Sequence, residues 1–318
     1  MRYLITGHTG FVGNTFCSKL IDKNKNSEFI LISRRTNNNF LGINNVIQIN
    51  CDLTKNFNFE LLRRVDIFIN FAGEIRTDDK MYDLHIAFPQ KCFNFIKINN
   101  LKIFWIQLSS VGSYGSPIIP HQKRLIKEDF ILNPNGNYEK TKSEADLNIV
   151  NFSDIYKNFT FCILRPSQII GKDMINQSLL NLIDMVKKRF YFTIRSKKSV
   201  RSYVHIEDLC NAIFLVIKNH ANKSKNKIFN VSQNILLERI VQEIRNKYNT
   251  KIYIPFTVNE NFVRIIVNFF SKFFKLPITS KIISGLVARS IYSSNSIKKN
   301  LNFDFKHKKA KVILKVDE

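Results

Sequence analysis

The chain has 318 residues, and its 49 Lys and Arg residues outnumber its 25 Asp and Glu residues to give a net charge of +24. That length suits one large α/β domain or two closely joined domains, and a hydrophobic content of 44% is that of a globular protein. No stretch approaches the roughly 20 apolar residues of a membrane-spanning helix, and the first apolar run is too short for a signal peptide. Five scattered cysteines argue against a disulfide scaffold or a zinc site, so we expect no metal and a reducing, cytoplasmic location.

The excess positive charge has two interpretations. It indicates either a partner that carries phosphates, such as nucleic acid, an anionic membrane or a nucleotide ligand, or a compositional bias in a chain that is rich in Lys, Asn, Ile and Phe throughout. Apart from a short basic run at 306–309, the Lys and Arg residues are spread along the chain and form no stripe. We therefore predict no nucleic-acid partner.

The predicted elements alternate between short β-branched strands and amphipathic helices. Strands are expected at 3–6, 29–33, 46–50, 66–70, 103–108 and 161–164, with helices near 11–21, 81–97 and 138–151. Beyond residue 166 the pattern predicts a helix at 179–186, a strand at 201–205, a helix at 207–218, a strand at 228–231 and then a mostly helical tail. Because parallel strands need crossover connections, this alternation predicts an α/β fold with a doubly wound parallel sheet.

A glycine-rich motif at 6–13 connects the first strand to the first helix. Glycines at this spacing let the backbone turn tightly and approach a pyrophosphate, which then sits on the free N–H groups at the helix N-terminus. The residues expected to face a dinucleotide here are Gly7, Gly10, Phe11, Val12 and Gly13. The motif therefore predicts a Rossmann dinucleotide-binding domain, the alternative being that the glycines only form a tight turn.

The end of the second strand distinguishes NAD from NADP. An acidic residue there binds the ribose 2′-hydroxyl, whereas arginine accommodates a 2′-phosphate. The sequence has Ser33, Arg34 and Arg35 at this point and no carboxylate. We predict NADP as the cofactor, with NAD as the alternative if the arginines only face solvent.

A serine pair and a Tyr-x-x-x-Lys motif form the candidate catalytic set. Ser109 and Ser110 end the fifth strand, and Tyr138 and Lys142 stand at i and i+4, on one face of a helix. A tyrosine with a pKa of about 10 is a poor base at neutral pH, and we expect the neighbouring ammonium to lower that pKa. A serine hydroxyl can hold a substrate oxygen against the tyrosine by a hydrogen bond.

Together these motifs resemble the extended short-chain dehydrogenases/reductases, and within them the NAD-dependent epimerase/dehydratase group, which acts largely on nucleotide sugars. The resemblance covers nearly the whole chain, through the glycine motif, 52–53, 70–73, 109–115, the Tyr-x-x-x-Lys motif, 164–171 and 201–209. It implies a Rossmann domain at 1–165, to which 201–231 return. It also implies a smaller, mostly helical substrate-binding domain formed by 166–200 and 232–318.

The roles of individual residues follow from this resemblance. It implies that Ser110, Tyr138 and Lys142 are catalytic and that Tyr138 and Lys142 also contact the cofactor, with Lys142 orienting the ribose. The further cofactor contacts that it implies are Asp52, Leu53, Phe71, Ala72, Gly73 and Pro166. The substrate contacts that it implies are Ser110, Gln168, Arg201 and Tyr203, of which Arg201 suits a diphosphate.

Several positions depart from the pattern of the family. Gln168 and His85 stand where relatives usually have asparagine, and His85 is interpreted either as tuning the site or as a packed structural substitute. Asn302 replaces a glycine, a change that a left-handed backbone conformation tolerates. Nucleotide-sugar 4,6-dehydratases carry an Asp-Glu pair where this chain has Val111 and Gly112, so dehydration is disfavoured.

The sequence thus predicts an NAD(P)-dependent nucleotide-sugar epimerase or 4-keto-sugar reductase. The alternatives are a reductase of a non-sugar carbonyl, such as a steroid, and a non-catalytic Rossmann protein that senses dinucleotides or binds RNA. A homodimer is compatible with the sequence. The segment 261–292 is interpreted either as helices packed on the Rossmann core or as a peripheral membrane contact, because one helical face carries Arg264, Asn268, Ser271, Lys272 and Lys275.

Overall fold

The structure of the protein is a computed structural model that describes residues 1–119, 122–174, 177–189, 191, 193–195, 198–250, 257–270 and 280–307. Parts of two predicted features lie outside the described residues. These are Lys308 and Lys309 of the C-terminal basic run, and Ser271, Lys272 and Lys275 of the segment 261–292.

The described residues alternate between strands and helices along the chain. The strands are β1 Arg2–Thr6, β2 Glu28–Ser33, β3 Val46–Asn50, β4 Ile67–Asn70, β5 Ile103–Leu108, β6 Lys123–Ile126, β7 Phe159–Pro166, β8 Gln168–Ile170, β9 Thr193–Arg195, β10 Val200–His205, β11 Lys227–Val231, β12 Gln233–Leu236, β13 Thr257–Asn259 and β14 Arg289–Tyr292. The α-helices are α1 Phe11–Lys23, α2 Asp78–Tyr82, α3 Phe88–Ile98, α4 Asn137–Ile155, α5 Gln177–Lys187, α6 Ile206–Lys218, α7 Leu237–Lys247, α8 Glu260–Phe270, α9 Ser280–Val287 and α10 Asn295–Leu301. Shorter 3₁₀ turns occupy Asn38–Phe40, Phe59–Arg64 and Val111–Tyr114.

The central sheet has the order β3-β2-β1-β4-β5-β7-β11, and all of these pairs are parallel. The chain first builds outward from β1 to β3 and then returns to the other side of β1 with β4. Ligands of such sheets bind outside the carboxyl ends of the strands where the order reverses, and here that point lies between β1 and β4. The predicted doubly wound α/β fold is confirmed.

Both faces of the sheet are buried, because successive strand residues point to opposite sides. On β1, Tyr3 and Ile5 belong to the cluster that also contains apolar residues of α1 and α6. Leu4, between them, belongs to the cluster on the other face, which contains residues of α3 and α4. In that second cluster the rings of Phe68 and Trp105 are stacked with their centroids 4.0 Å apart.

The helix predicted at 81–97 is interrupted. Helical structure runs from Asp78 to Ile98, but residues Asp83–Ala87 form a single π turn between α2 and α3. A π turn adds one residue to the helical repeat and is frequently found at functional sites. Its centre here is His85, which is buried.

The C-terminal half adds smaller sheets and helices. Strands β8, β10 and β12 form a second sheet, and the pairs β13-β9 and β14-β6 are separate ribbons, so short strands were missed in the tail that was predicted as mostly helical. Ile297 and Leu301 of α10 pack into the core of the large sheet together with Phe303 and Phe305. Asn302 ends α10 in the left-handed conformation, with φ of +53°. None of the described helices has the length and apolar character needed to cross a membrane.

Candidate active site

The loops that follow β1 and β4 touch at the switch point of the sheet. Gly7 has φ of +71°, and a Cβ added there would lie 2.7 Å from the backbone nitrogen of Ala72. At Gly13 an added Cβ would lie 2.2 Å from the carbonyl oxygen of Gly7, so the helix can approach the loop only without a side chain. The glycines therefore allow the backbone to turn and also allow the two loops and helix α1 to approach one another closely.

Buried polar side chains fix the strand ends beneath these loops. The Thr6 hydroxyl donates to the Asn70 side-chain oxygen at 2.6 Å and accepts the backbone N–H of Ala72 at 3.3 Å. The Asn70 amide in turn donates to Gln107 of β5 at 3.0 Å. This chain of hydrogen bonds crosses three adjacent strands and holds the loop after β4 in place.

The N-terminus of α1 faces the same loops. Helix α1 begins at Phe11, Gly10 provides no side-chain cap, and the first turn has no acidic residue. Its leading N–H groups and the positive end of the helix dipole are therefore available to an anion. The glycine cradle and this helix end fit the pyrophosphate of a dinucleotide.

A cavity of about 330 Å³ opens next to this helix end. The predicted cofactor residues that line it are Gly7, Gly10, Ser33, Arg34, Asp52, Leu53, Phe71, Ala72 and Gly73. Within the described residues its lining does not include the other predicted contacts, Phe11, Val12, Gly13, Arg35, Tyr138, Lys142 and Pro166. The lining residues that were not predicted are Thr9, Cys51, Thr54, Lys55, Glu74, Lys80, Asp83 and Leu84. Some of these are sequence neighbours of predicted positions. Lys80 of α2 and Asp83 and Leu84 of the π turn are not, and it is the packing of these elements against the cofactor loops that brings them to the cavity.

The formal charges of the side chains that line the cavity cancel, in contrast to those of the chain as a whole. Its lining has the cations of Arg34, Lys55 and Lys80 and the carboxylates of Asp52, Glu74 and Asp83. The Arg34 charge contributes to lowering the pKa of Asp52 and of Glu74, although hydrogen bonds to Thr54 and to the Arg76 backbone are the larger causes. Both arginines are exposed to solvent, but only Arg34 lines the cavity and acts on these two carboxylates.

The two serines at the end of β5 have different surroundings. Ser109 is buried, and its hydroxyl donates to the carboxylate of Asp146 at 2.8 Å. Ser110 is half-buried, and its Oγ accepts the backbone N–H of Gly112 at 3.0 Å. Because that bond uses the oxygen as acceptor, the Ser110 hydroxyl proton remains available to a substrate oxygen.

Gly112 brings the serine turn close to the start of α4. A Cβ added at Gly112 would lie 3.2 Å from Ser110 Oγ and 2.9 Å from Cγ of Glu139. Tyr138 precedes Glu139 in the first turn of α4. The fold therefore brings the predicted serine and tyrosine segments together.

The pKa of Tyr138 is raised to about 12, mainly because burial destabilises the phenolate and also because Glu139 and Asp146 add negative charge. The expectation of a lowered Tyr138 pKa is therefore wrong. Spacing placed the two side chains on one face, but burial of Tyr138 depends on the packing around α4. Tyr138 is consequently a neutral phenol at physiological pH.

Lys142 is almost completely buried, and its Nζ donates to the carbonyl oxygen of Leu108 at 3.0 Å. Burial lowers the pKa of this ammonium to about 8, and the Asp146 carboxylate opposes the shift. A Cβ added at Gly73 would lie 3.6 Å from Nζ. The ammonium is therefore next to the loop that lines the cofactor cavity.

Helix α4 also takes part in a buried polar network that was not predicted from the sequence. Arg165 Nε donates to Asp146 Oδ2 at 2.9 Å, and Arg165 Nη1 donates to the Tyr114 hydroxyl at 2.9 Å. The Tyr114 hydroxyl donates to the side-chain oxygen of Asn230 at 2.8 Å. Asp146 lies one helical turn after Lys142, and only that spacing could have indicated its proximity.

Three of the four predicted substrate residues lie together in the second sheet. Gln168 of β8 is the direct partner of Tyr203 of β10, and Arg201 lies two residues earlier on the same side of β10. The Gln168 amide donates to Ser178 of α5 at 3.0 Å. Tyr203 is 4% exposed and packs in an apolar cluster, so its ring is part of the core of this region.

A glycine cradle, an uncapped helix end and a Ser/Tyr/Lys set at the carboxyl ends of parallel strands define a class of proteins, the Rossmann enzymes that use a nicotinamide dinucleotide. The chain belongs to the NAD dependent epimerase/dehydratase family, whose model matches residues 3–232. This confirms the resemblance to the extended short-chain dehydrogenases/reductases.

Two characterised relatives show what the sequence is similar to. A dTDP-D-glucose 4,6-dehydratase from Dictyostelium discoideum is 25% identical over 249 residues, which cover 68% of this chain and 55% of that protein. A UDP-glucose 4-epimerase from Lactobacillus helveticus is 24% identical over 260 residues, which cover 73% of this chain and 76% of that protein. The match thus spans about half the length of the first relative.

Solved structures show the same fold. The UDP-glucuronic acid 4-epimerase from Bacillus cereus in complex with NAD matches with a TM-score of 0.73 and 14% identity, over 100% of this chain and 99% of that chain. The dTDP-glucose 4,6-dehydratase from Bacillus anthracis in complex with NAD matches with a TM-score of 0.71 and 18% identity, over 99% and 94%.

Proposed function

We propose that this protein catalyses hydride transfer at a sugar carbon of a nucleotide sugar, as an epimerase or as a 4-keto-sugar reductase. The observation that carries this proposal is the arrangement around the first turns of α4. Tyr138 adjoins the turn that bears Ser110, and Lys142 adjoins Gly73 at the cofactor cavity. This arrangement supports the proposal of an acid/base group and a hydroxyl donor beside a dinucleotide site.

The proposed roles follow from the protonation states. A nicotinamide, when bound, supplies or accepts the hydride. As a neutral phenol, Tyr138 can donate a proton to a carbonyl oxygen that gains negative charge during reduction. Ser110 can donate a hydrogen bond to the same oxygen, and Lys142 holds positive charge next to the tyrosine. In the oxidative direction the phenolate of Tyr138 would accept the hydroxyl proton.

An epimerase or reductase fits the turn after Ser110 better than a dehydratase does. Elimination of water requires an additional acid and base. Val111 is buried and apolar, and Gly112 has no side chain, so neither supplies one. Because the chain is similar to both dehydratases and epimerases, the choice between these two reactions rests on the residues of the turn.

For the cofactor we propose NADP, with Arg34 as the residue that receives the 2′-phosphate. Arg34 lines the cavity together with Ser33, and the last residues of β2 include no carboxylate. The structural relatives are described with NAD, and the carboxylates of Asp52 and Glu74 compete for the Arg34 charge. Direct comparison of the two dinucleotides therefore tests this part of the proposal.

For the substrate we propose a nucleotide sugar contacted by Gln168 and Arg201, without the predicted contact of Tyr203, whose ring is buried in the core. The guanidinium of Arg201 suits a diphosphate, and Gln168 and Arg201 lie on neighbouring strands. Relatives provide further support, since a UDP-glucose 4-epimerase from Thermotoga maritima is described with UDP-glucose. A cytoplasmic location is also part of the proposal, supported by five cysteines that are all free and buried. The homodimer stays a prediction.

The test is incubation of the purified protein with a panel of nucleotide sugars and 4-keto nucleotide sugars. A reductase consumes NADPH in a one-to-one ratio with the 4-keto compound, whereas an epimerase interconverts two sugars without net consumption. Tyr138→Phe is expected to abolish either activity. Full activity in this variant would contradict the catalytic assignment, and failure of every compound to turn over would contradict the proposed substrate class.

A further inference from the structure

His85 occupies the centre of the π turn and connects two parts of the active site. It is 1% exposed, and its ring lies edge-on to Tyr138 with the centroids 5.8 Å apart. Its Nε2 lies 3.0 Å from the backbone nitrogen of Glu74, and its Nδ1 lies 2.8 Å from Thr141 Oγ1. Glu74 follows Gly73 in the cofactor loop, and Thr141 stands between Tyr138 and Lys142 on α4.

The hydrogen bonds determine which ring nitrogen carries the proton. A backbone N–H can only donate, so Nε2 must accept from Glu74 and must be unprotonated. The neutral ring then has its proton on Nδ1, which donates to the Thr141 hydroxyl. The Thr141 hydroxyl donates onward to the carbonyl oxygen of Tyr138 at 3.1 Å. Every hydrogen bond from Glu74 to Tyr138 thus has a fixed direction.

A charged ring would not fit this position. A second proton would have to sit on Nε2, where it would face the N–H of Glu74 instead of accepting from it. The ammonium of Lys142 is close by, since a Cβ added at Gly73 would lie 3.4 Å from His85 Nε2 and 3.6 Å from Lys142 Nζ. Burial, together with the Lys142 charge, lowers the pKa of His85 to about 2.

We propose that His85 is a positioning residue, whose neutral Nδ1–H tautomer fixes the first turn of α4 relative to the cofactor loop at Gly73 and Glu74. The π turn makes this possible because it directs the side chain at position 85 towards both elements. The part of this inference that concerns turnover rests on the proposed function. The part that concerns the tautomer and the cofactor loop does not.

The tautomer is tested by NMR on protein labelled with ¹⁵N-histidine. The chain has six histidines, and the His85 signal is identified by its loss in His85→Gln. We expect an unprotonated Nε2 and a protonated Nδ1, unchanged between pH 5 and pH 8. A protonated Nε2, or titration within this range, would overturn the proposal.

Substitutions test the positioning role. His85→Phe keeps the ring volume and the contact with Tyr138 but removes both hydrogen bonds, and we expect kcat to fall by roughly 10- to 100-fold with little change in KM. Thr141→Val, which removes only the hydroxyl, should lower kcat similarly, and Thr141→Ser should restore it. Because both residues belong to one chain of hydrogen bonds, the double variant should be no slower than His85→Phe alone. Additive losses, or an unchanged kcat in His85→Phe, would overturn the role.

Dinucleotide affinity provides a measurement that needs no substrate. Because Gly73 and Glu74 line the cofactor cavity, His85→Phe should weaken dinucleotide binding by up to about tenfold. His85→Gln can still accept from the Glu74 N–H and should bind more tightly than His85→Phe. If no nucleotide sugar is turned over, the proposed function fails while the tautomer and these affinities still decide the inference. Equal affinity in the wild type and both variants would contradict it.

Discussion

Lys142 and Leu108 are joined by a 3.0 Å hydrogen bond from a buried ammonium to a main-chain carbonyl at the end of β5. The bond fixes the cation one helical turn after Tyr138, and burial lowers its pKa from 10.5 to about 8. Keeping a charge in this position opposes folding at neutral pH. The site therefore keeps this ammonium at the expense of stability, as is common for active sites.

Lys142→Met should raise the free energy of unfolding by about 1–3 kcal/mol at pH 7 while it abolishes turnover. An amine whose pKa is lowered in the folded state costs stability below that pKa, and the cost disappears as pH rises towards the unfolded value. The advantage of the variant should therefore shrink between pH 8 and about pH 10.5. Urea unfolding at pH 7 and pH 10 measures this, with the exposed Lys140→Met as control. Lower stability of Lys142→Met at pH 7 would contradict the prediction.

The adjacent serines should separate catalysis from stability. Ser110→Ala removes the hydroxyl donor and should lower kcat by roughly 100-fold, because donors to a developing oxyanion have effects of this size, while unfolding changes little. Ser109→Ala removes a donor to the buried carboxylate of Asp146 and should cost about 1–3 kcal/mol of stability. Steady-state kinetics and urea unfolding of both variants form the test. The reverse pattern would show that Ser109 is the catalytic serine.

The two arginines after β2 form a second matched pair. Arg34 lines the cofactor cavity and Arg35 does not. Arg34→Ala should weaken NADP binding by about 10- to 100-fold, the value of a charge-assisted hydrogen bond, and should leave NAD binding nearly unchanged. Arg35→Ala should alter neither. Titrations followed by nicotinamide fluorescence decide this, and tighter binding of NAD than of NADP by the wild type would exclude NADP as the preferred cofactor.

Much of the fold was predictable because its signals are local. The strands of the central sheet are runs of β-branched residues, and the glycine motif between β1 and α1 is recognised by spacing alone. The pairing of Gln168 with Tyr203 is different, because it depends on which strands become neighbours in the second sheet. The short strands of the tail were missed for the same reason, since each is stabilised by its partner rather than by its own sequence.

The candidate site was likewise predictable only where its features depend on local sequence. Spacing correctly placed Tyr138 and Lys142 on one face of α4, but the sign of the Tyr138 pKa shift depends on burial by residues distant in sequence. His85 was recognised as a departure from the family pattern. Its partners, Glu74 and Thr141, could not be predicted, because the π turn is what directs the ring between the cofactor loop and α4.

Surface attachment through α8 gives a further prediction. Phe262 and Ile265 of α8 are 58% and 67% exposed, while Val263 and Val267 pack inward. Residues 261–292 contain no acidic residue and five basic ones, of which Arg264 pairs with Glu260 at the start of α8, and a segment rich in apolar and basic residues suits an anionic membrane. Sedimentation with vesicles should show binding to phosphatidylglycerol that Phe262→Ser and Ile265→Ser weaken. The control is Ile98→Ser, at a residue of α3 that is 82% exposed, and equal binding to neutral vesicles would contradict the electrostatic part.

The ion pair of Arg165 and Asp146 should be the most sensitive polar contact in the core. Both side chains are almost completely buried, and Arg165 is the cation bonded to this carboxylate at 2.9 Å. Arg165→Met would leave the buried carboxyl group of Asp146 without its main partner, which should cost about 3–5 kcal/mol of stability. In Arg165→Met/Asp146→Leu neither charge remains, so we expect unfolding in urea to return most of the way to the wild type. A double variant as unstable as the single one would show that shape and the bonds to Tyr114 and Ser109, rather than the buried charge, determine the loss.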